Sequence, residues 1–266
     1  MNSSILIADQ VDLDASCYIR NSSLQNSFAR RILKNYRISQ HAHILDVGCG
    51  DGRITAELAI HAKKGSVIGL DASPSMIKSA FSNFPKTKYP NLDFRLGMAE
   101  DVSFSQQFDL IVSFSCFHWL RDPEKAIRQL SSSLKQHGEM LILTYPKESP
   151  YYKYLQIALK NYPDYYPLSA NNTMLSAKEY NKIIKKNNLE IIDFKKHNLF
   201  TSYNNPNEIQ QYIKGWLSNY VQLPEYLQDS FLQDVSSTVT NDPATHRGKK
   251  ITIPYTALVI KARKQE

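Results

Sequence analysis

The feature that most constrains this chain is ILDVGCGDG at residues 44–52, a short apolar run that passes through Asp46 and Val47 and breaks into Gly48, Gly50 and Gly52. A run of that kind is a buried strand. Glycines on alternate positions remove the Cβ atoms where backbone and ligand must nearly touch. Residues 53–62 follow with Ile54, Leu58 and Ala62 on one helical face, so the spacing predicts a strand, a tight loop and a helix whose free amides face the loop. Further on, VIGLDASPSM reads as a second buried strand ending in Asp71, where a carboxylate can accept hydrogen bonds from both hydroxyls of a ribose. Arg53 occupies the sixth position of the glycine pattern, which disfavours a dinucleotide, and the Lys-Ser/Thr pair of a phosphate loop is missing. The expected ligand is a nucleoside-bearing cofactor gripped by two acidic strand tips.

The rest of the chain extends this unit. Strands are expected at 43–47, 66–71, 91–96, 108–114 and 139–144, alternating with helices. Ser73 caps and Pro74 opens one helix. Asp122 and Pro123 start another, lined by Ala126, Ile127, Leu130 and Leu134 and stopped by Gly138. Such alternation predicts an α/β fold with a doubly wound, mostly parallel sheet. A helix at 18–38 precedes the first strand. After Tyr145 the composition turns to tyrosine, proline and asparagine, with helices expected at 151–160, 176–187, 208–219 and 225–240 and strands at 189–200 and 253–262. The division expected is a cofactor-binding core over 1–145, and cap helices plus the last strands of the same sheet over 146–266.

The net charge of +7 is spread over the 266 residues, with only pairs such as Lys185-Lys186 and Lys249-Lys250, so it reads as solvated faces rather than a nucleic-acid footprint. Cys17, Cys49 and Cys116 have no metal spacing and fit free thiols in a reducing compartment. The opening residues lack the basic start and apolar core of a signal peptide, and the nearly apolar stretch 108–120 is too short to span a bilayer; a cytoplasmic protein is expected.

Through ILDVGCGDG, Asp71 and the order of strands and helices, residues 18–145 at least resemble the class I S-adenosylmethionine-dependent methyltransferases. The resemblance implies a Rossmann-like seven-stranded sheet with a helical cap inserted before the last strand. It implies S-adenosylmethionine as cofactor, S-adenosylhomocysteine as product, and no metal. It also implies cofactor contacts at Asp46, Gly48, Cys49, Gly50, Asp71, Ala72, Met76, Met98, Ala99, Glu100 and Ser113. Met98 stands where the family often has the acid that reads adenine, which leaves Glu100, Asp101 or neither for that contact.

A closer resemblance joins NSSLQ at 21–25, SFSCFHWLRD at 113–122 and PYTALVIKARK at 254–264 to the juvenile hormone acid and farnesoic acid O-methyltransferases, and less closely to the trans-aconitate and malonyl-carrier-protein methyltransferases. It implies that Gln25 and Trp119 hold a substrate carboxylate, with His118 beside them. Tyr145, Tyr151, Tyr152, Tyr165, Tyr166, Tyr203 and Trp216 would wall an apolar tail. The expected partner is a small carboxylic acid. An amine, phenol or RNA acceptor on the same fold, a malonyl carrier protein, and a cofactor-binding module without catalysis stay open as alternatives. The Asn/Asp-Pro-Pro-aromatic motif of amino-methylating nucleic-acid enzymes does not occur after the fourth strand.

Overall fold

The structure is a computed structural model that describes residues 23–170 and 173–266. Residues 18–22 of the expected first helix, Cys17, and the side chain of Gln25 lie outside the described residues. The backbone at Gln25 belongs to α1 (Ser23–Lys34).

The chain then alternates: β1 (His43–Val47), α2 (Arg53–His61), β2 (Ser66–Asp71), α3 (Pro74–Asn83), β3 (Leu92–Leu96), β4 (Phe108–Phe114), α4 (Pro123–Ser133) and β5 (Leu134–Thr144). Next come α5 (Tyr151–Leu159), α6 (Ala177–Lys186), β6 (Leu189–Tyr203), α7 (Pro206–Lys214), α8 (Leu217–Tyr220), α9 (Glu225–Thr240), the two-residue β7 (His246–Arg247) and β8 (Lys250–Lys264). The sheet order is β3-β2-β1-β4-β5-β8-β6. β1 runs parallel to both β2 and β4, so the order reverses between β1 and β4. Ligands of doubly wound sheets bind at the carboxyl ends of the strands beside such a reversal.

Strand alternation divides the core between two faces. On one, Leu45, Ile111, Met140 and Ile260 pack with α4 and α6. On the other, Ile44, Leu110, Leu141 and Val259 pack with α1, α2 and α3. A third apolar cluster belongs to the cap, where Leu155, Ile209, Ile213, Phe231 and Val235 from α5, α7 and α9 are buried together. The cap is drawn from two segments, one following β5 and one joining β6 to β8. Its aromatic residues rest over the carboxyl end of the sheet.

Local differences from the sequence expectations have local causes. The helix expected to run to Gly138 ends at Ser133, because Leu134 already pairs with Phe108 on β4 and a register shift follows, with His137 at φ 61. Gly138 therefore sits in an irregular strand and is no helix stop. The helix expected over 208–219 is divided at Gly215 and Trp216 into α7 and α8. β8 is longer than expected because β6 pairs with it from Leu189↔Lys264 to Tyr203↔Ile251.

Candidate functional site

The tips of β1 and β2 form the base of the site. Gly48, Gly50 and Gly52 all have positive φ, at 73, 55 and 83. At Gly48 the reason is direct: a Cβ there would lie 2.4 Å from Cβ of Cys116, so the β1 loop and the β4 loop touch through a missing side chain. The amides of Gly48 and Cys49 donate to the Leu70 carbonyl at 2.8 and 3.0 Å, locking the loop to β2. Asp71 in turn accepts from the Gly50 amide at 2.8 Å and the Ser73 amide at 2.9 Å. Burial pushes its carboxyl pKa upward, against the pull of amide bonds from Ser73, Gly50 and Ala72. Those amide bonds do not use up the roughly four lone-pair sites of a carboxylate.

Above this base lies a cavity of about 430 Å³. Gly48, Gly50, Asp71, Ala72, Met76, Met98, Ala99 and Glu100 all line it, so most of the expected cofactor contacts converge on one space. Their chemistry fits an adenosine-bearing ligand: a carboxylate with spare acceptor sites at the β2 tip, bare backbone at the β1 tip, and the apolar side chains of Met76, Met98 and Leu120 in the lining. Glu100 and Asp101 separate cleanly. Glu100 is buried and accepts the Arg121 and Asp122 amides at 3.0 and 3.3 Å. Asp101 faces outward to Lys125 at 2.8 Å. Of the two, only Glu100 lines the cavity.

Asp46 and Cys49 border a smaller recess beneath the loop, together with Asn26 of α1. Ser113 is a correction. It is fully buried and donates to the Val47 carbonyl at 2.8 Å, so it ties β4 to β1 and does not line the cavity. Residues that sequence reasoning missed include Arg121 and, from the cap, Ser218, Asn219 and Gln222, which close the same cavity from above.

Burial, the largest cause, pushes the pKa of Asp46 up to about 7. The Thr55 hydroxyl, donating at 2.7 Å, opposes the rise, and nearby Asp71 adds to it. An unfolded aspartate titrates near ~3.9, so between roughly pH 4 and 7 the folded chain holds a proton that the unfolded chain has lost, and stability falls as pH rises through that window. A cationic group bound in the recess would drive that proton off. We expect S-adenosylhomocysteine affinity to rise between about pH 5 and about pH 7, and Asp46→Asn to flatten the dependence. Calorimetric titration across that range checks it; an identical slope in the variant would remove Asp46 from the account.

A second, aromatic cavity of about 60 Å³ adjoins the first, and Ser115 and Trp119 line both. Its walls are His118, Trp119, Tyr145, Tyr151, Tyr152, Tyr212, Trp216 and Tyr255, with Ser149 and Thr201. The Trp119 ring lies 5.7 Å from that of Trp216, and the His118 ring lies 4.3 Å from Trp119 and 4.9 Å from Tyr145. Burial lowers the His118 pKa to about 3, so its imidazole is neutral at ordinary pH. Tyr203 lies behind the wall, bonded to the Tyr151 hydroxyl at 3.3 Å. Tyr165 packs against the cap core and Tyr166 is exposed; neither borders the cavity. Among the described residues, no group of acidic, histidine and cysteine side chains could hold a metal, and no helix is long and apolar enough to cross a membrane.

Comparison with known proteins agrees with this geometry. A family model described as a methyltransferase domain matches residues 38–222. The juvenile hormone acid O-methyltransferase of Bombyx mori is 32% identical over 49% of this chain and 49% of its own. The trans-aconitate 2-methyltransferase of Deinococcus radiodurans is 33% identical over 38% of this chain and 37% of its own. The chain spans about half or less of the length of the curated relatives it matches. Among solved structures, the YcgJ protein of Bacillus subtilis superposes with a TM-score of 0.64 at 20% identity, over 91% of this chain and 99% of that one, which speaks for the fold. With its glycine loop, its acidic β2 tip and a family match across most of its length, the chain belongs to the methyltransferase-domain family, in the class I, S-adenosylmethionine-dependent group.

Proposed function

We propose that this chain transfers a methyl group from S-adenosylmethionine to the carboxylate of a small, partly apolar organic acid. The observation that carries the reading is the meeting of the two cavities at Ser115 and Trp119, with a lining of neutral hydrogen-bond donors and aromatic rings on the acceptor side. The bound cofactor supplies a methyl group on a sulfonium, which needs alignment more than activation. Holding an acceptor in line can supply roughly 7–11 kcal/mol.

An ionised carboxylate needs no base, and its charge vanishes as it meets the sulfonium. A strong cationic clamp would stabilise the reactant more than the transition state, whereas neutral donors orient the acid at smaller cost. His118, uncharged at ordinary pH, suits that task, as does the Trp119 indole N–H. Gln25, on α1, completes the donor set in this reading. The tyrosines and Trp216 keep water from the junction. Two relatives are named as methyltransferases of an acid or of aconitate, which supports an acid acceptor.

Incubation with labelled S-adenosylmethionine and a panel of fatty, isoprenoid and tricarboxylic acids should yield methyl esters that mild alkali cleaves. Labelled products stable to alkali would point to an amine or a phenol instead. Trp119→Ala should lower kcat/KM for the accepted acid by roughly 100-fold, as a misplaced acceptor does. Steady-state kinetics check this, and unchanged values would leave the indole a packing role.

A further inference from the structure

We propose that Tyr180 and Thr144 act as positioning residues that fix His118 in the tautomer with its proton on Nε2, making the imidazole a permanent donor toward the aromatic cavity. This deepens the function proposed above and rests on that reading for its catalytic meaning. The tautomer itself follows from hydrogen-bond accounting.

Three buried groups form a line. The Tyr180 hydroxyl lies 3.3 Å from Oγ1 of Thr144, and Oγ1 lies 3.3 Å from Nδ1 of His118. Tyr180 and Thr144 are wholly enclosed, and His118 is 3% exposed. The three come from different elements: Tyr180 from α6, whose first turn is fixed by the reciprocal Ser176–Glu179 cap, Thr144 from the last position of β5, and His118 from the turn after β4.

Oγ1 of Thr144 could accept from both Nδ1–H and the phenol, but its own proton would then lack an acceptor among the described residues, which leaves two relayed arrangements. In one, Nδ1–H donates to Thr144 and Thr144 donates to Tyr180; the phenolic proton is then left inside the core with no acceptor among the described residues, a loss that buried polar groups avoid. In the other, Tyr180 donates to Thr144, Thr144 donates to Nδ1, and every donor in the line has an acceptor. Only the second leaves the proton on Nε2. With Nδ1 committed to the protein interior, Nε2 is the nitrogen left for the cavity that His118 lines. A hydroxyl rotates freely and could serve either direction, so the phenol at the end of the line decides it.

A donor at Nε2 attracts a carboxylate, and a lone pair there repels it. Tyr180→Phe removes the phenolic proton without altering ring packing, and frees His118 to carry its proton on Nδ1 against Thr144. Thr144→Val removes the acceptor and donor together while keeping the β-branched shape; Thr144→Ser restores them.

The test is nitrogen-15 NMR of histidine-labelled full-length protein, assigned with His118→Gln, before any substrate is added. In the parent protein Nε2 should be the protonated nitrogen and Nδ1 the bare one. In Tyr180→Phe and Thr144→Val the signals should shift toward the other tautomer or a mixture, and in Thr144→Ser they should stay. A protonated Nδ1 in the parent, or an unchanged Nε2–H in Tyr180→Phe, overturns the inference. Ester formation should fall roughly 10- to 100-fold in Tyr180→Phe, as for a lost hydrogen bond to a charged group, with S-adenosylhomocysteine affinity unchanged. A tautomer that responds as described in a chain that esterifies no acid would count against the proposed function and leave the proton assignment standing.

Discussion

Gly48→Ala is expected to destabilise the protein by about 2–5 kcal/mol, combining about 1–2 for a side chain at left-handed backbone with about 1–3 for overpacking. The two contributions have separate origins. The φ of 73 strains any L-residue there, and the new methyl would fall 2.4 Å from Cβ and 2.6 Å from Sγ of Cys116. Urea denaturation measures the sum. Adding Cys116→Gly should recover the overpacking share and leave the backbone share, because residues in contact couple in a double-mutant cycle. S-adenosylhomocysteine binding should weaken in the single variant, since the loop that moves is a wall of the cofactor cavity. A variant as stable as the parent would mean that the β1 and β4 loops do not approach as closely as described.

Asp71→Ala should weaken S-adenosylhomocysteine binding by roughly 1–3 kcal/mol, the usual range for lost hydrogen bonds to a charged group, which is roughly 5- to 150-fold in Kd. The same carboxylate holds the Gly50 and Ser73 amides, so the change both removes a ligand contact and loosens the loop that shapes the site. Asp101→Ala is the control. Its side chain faces solvent beside Lys125, and its removal should leave the affinity where it was. Calorimetry on the three proteins decides the matter, and equal affinities for parent and Asp71→Ala would place the ribose elsewhere.

The parts of the site legible in the sequence are those whose cause is local. A bare backbone turn after an apolar strand can be read from nine consecutive residues, and the caps at Ser73, Asp122 and Ser176 from a few more. Proximity in sequence to the β4 loop does not say which way the Ser113 side chain turns, and its hydroxyl goes to β1 rather than into the cavity. Gly138 was read as a helix stop because glycine marks helix ends and strand irregularities alike, and only pairing with β4 separates them. Thr144 and Tyr180 carried no signal at all. They meet His118 through a sheet and a helix packed across the fold, and neither lies in a motif. Ser218, Asn219 and Gln222 line the cavity for a similar reason: the cap approaches from a segment with no periodic tie to the glycine loop.

Trp119 stands as a partition between two chambers, with one side toward the cofactor cavity and the other toward the aromatic one. If a guest in one cavity shifts that shared ring, it changes the room left in the other. Thermodynamic reciprocity then demands that whatever factor a guest in one cavity imposes on affinity in the other is returned in equal measure.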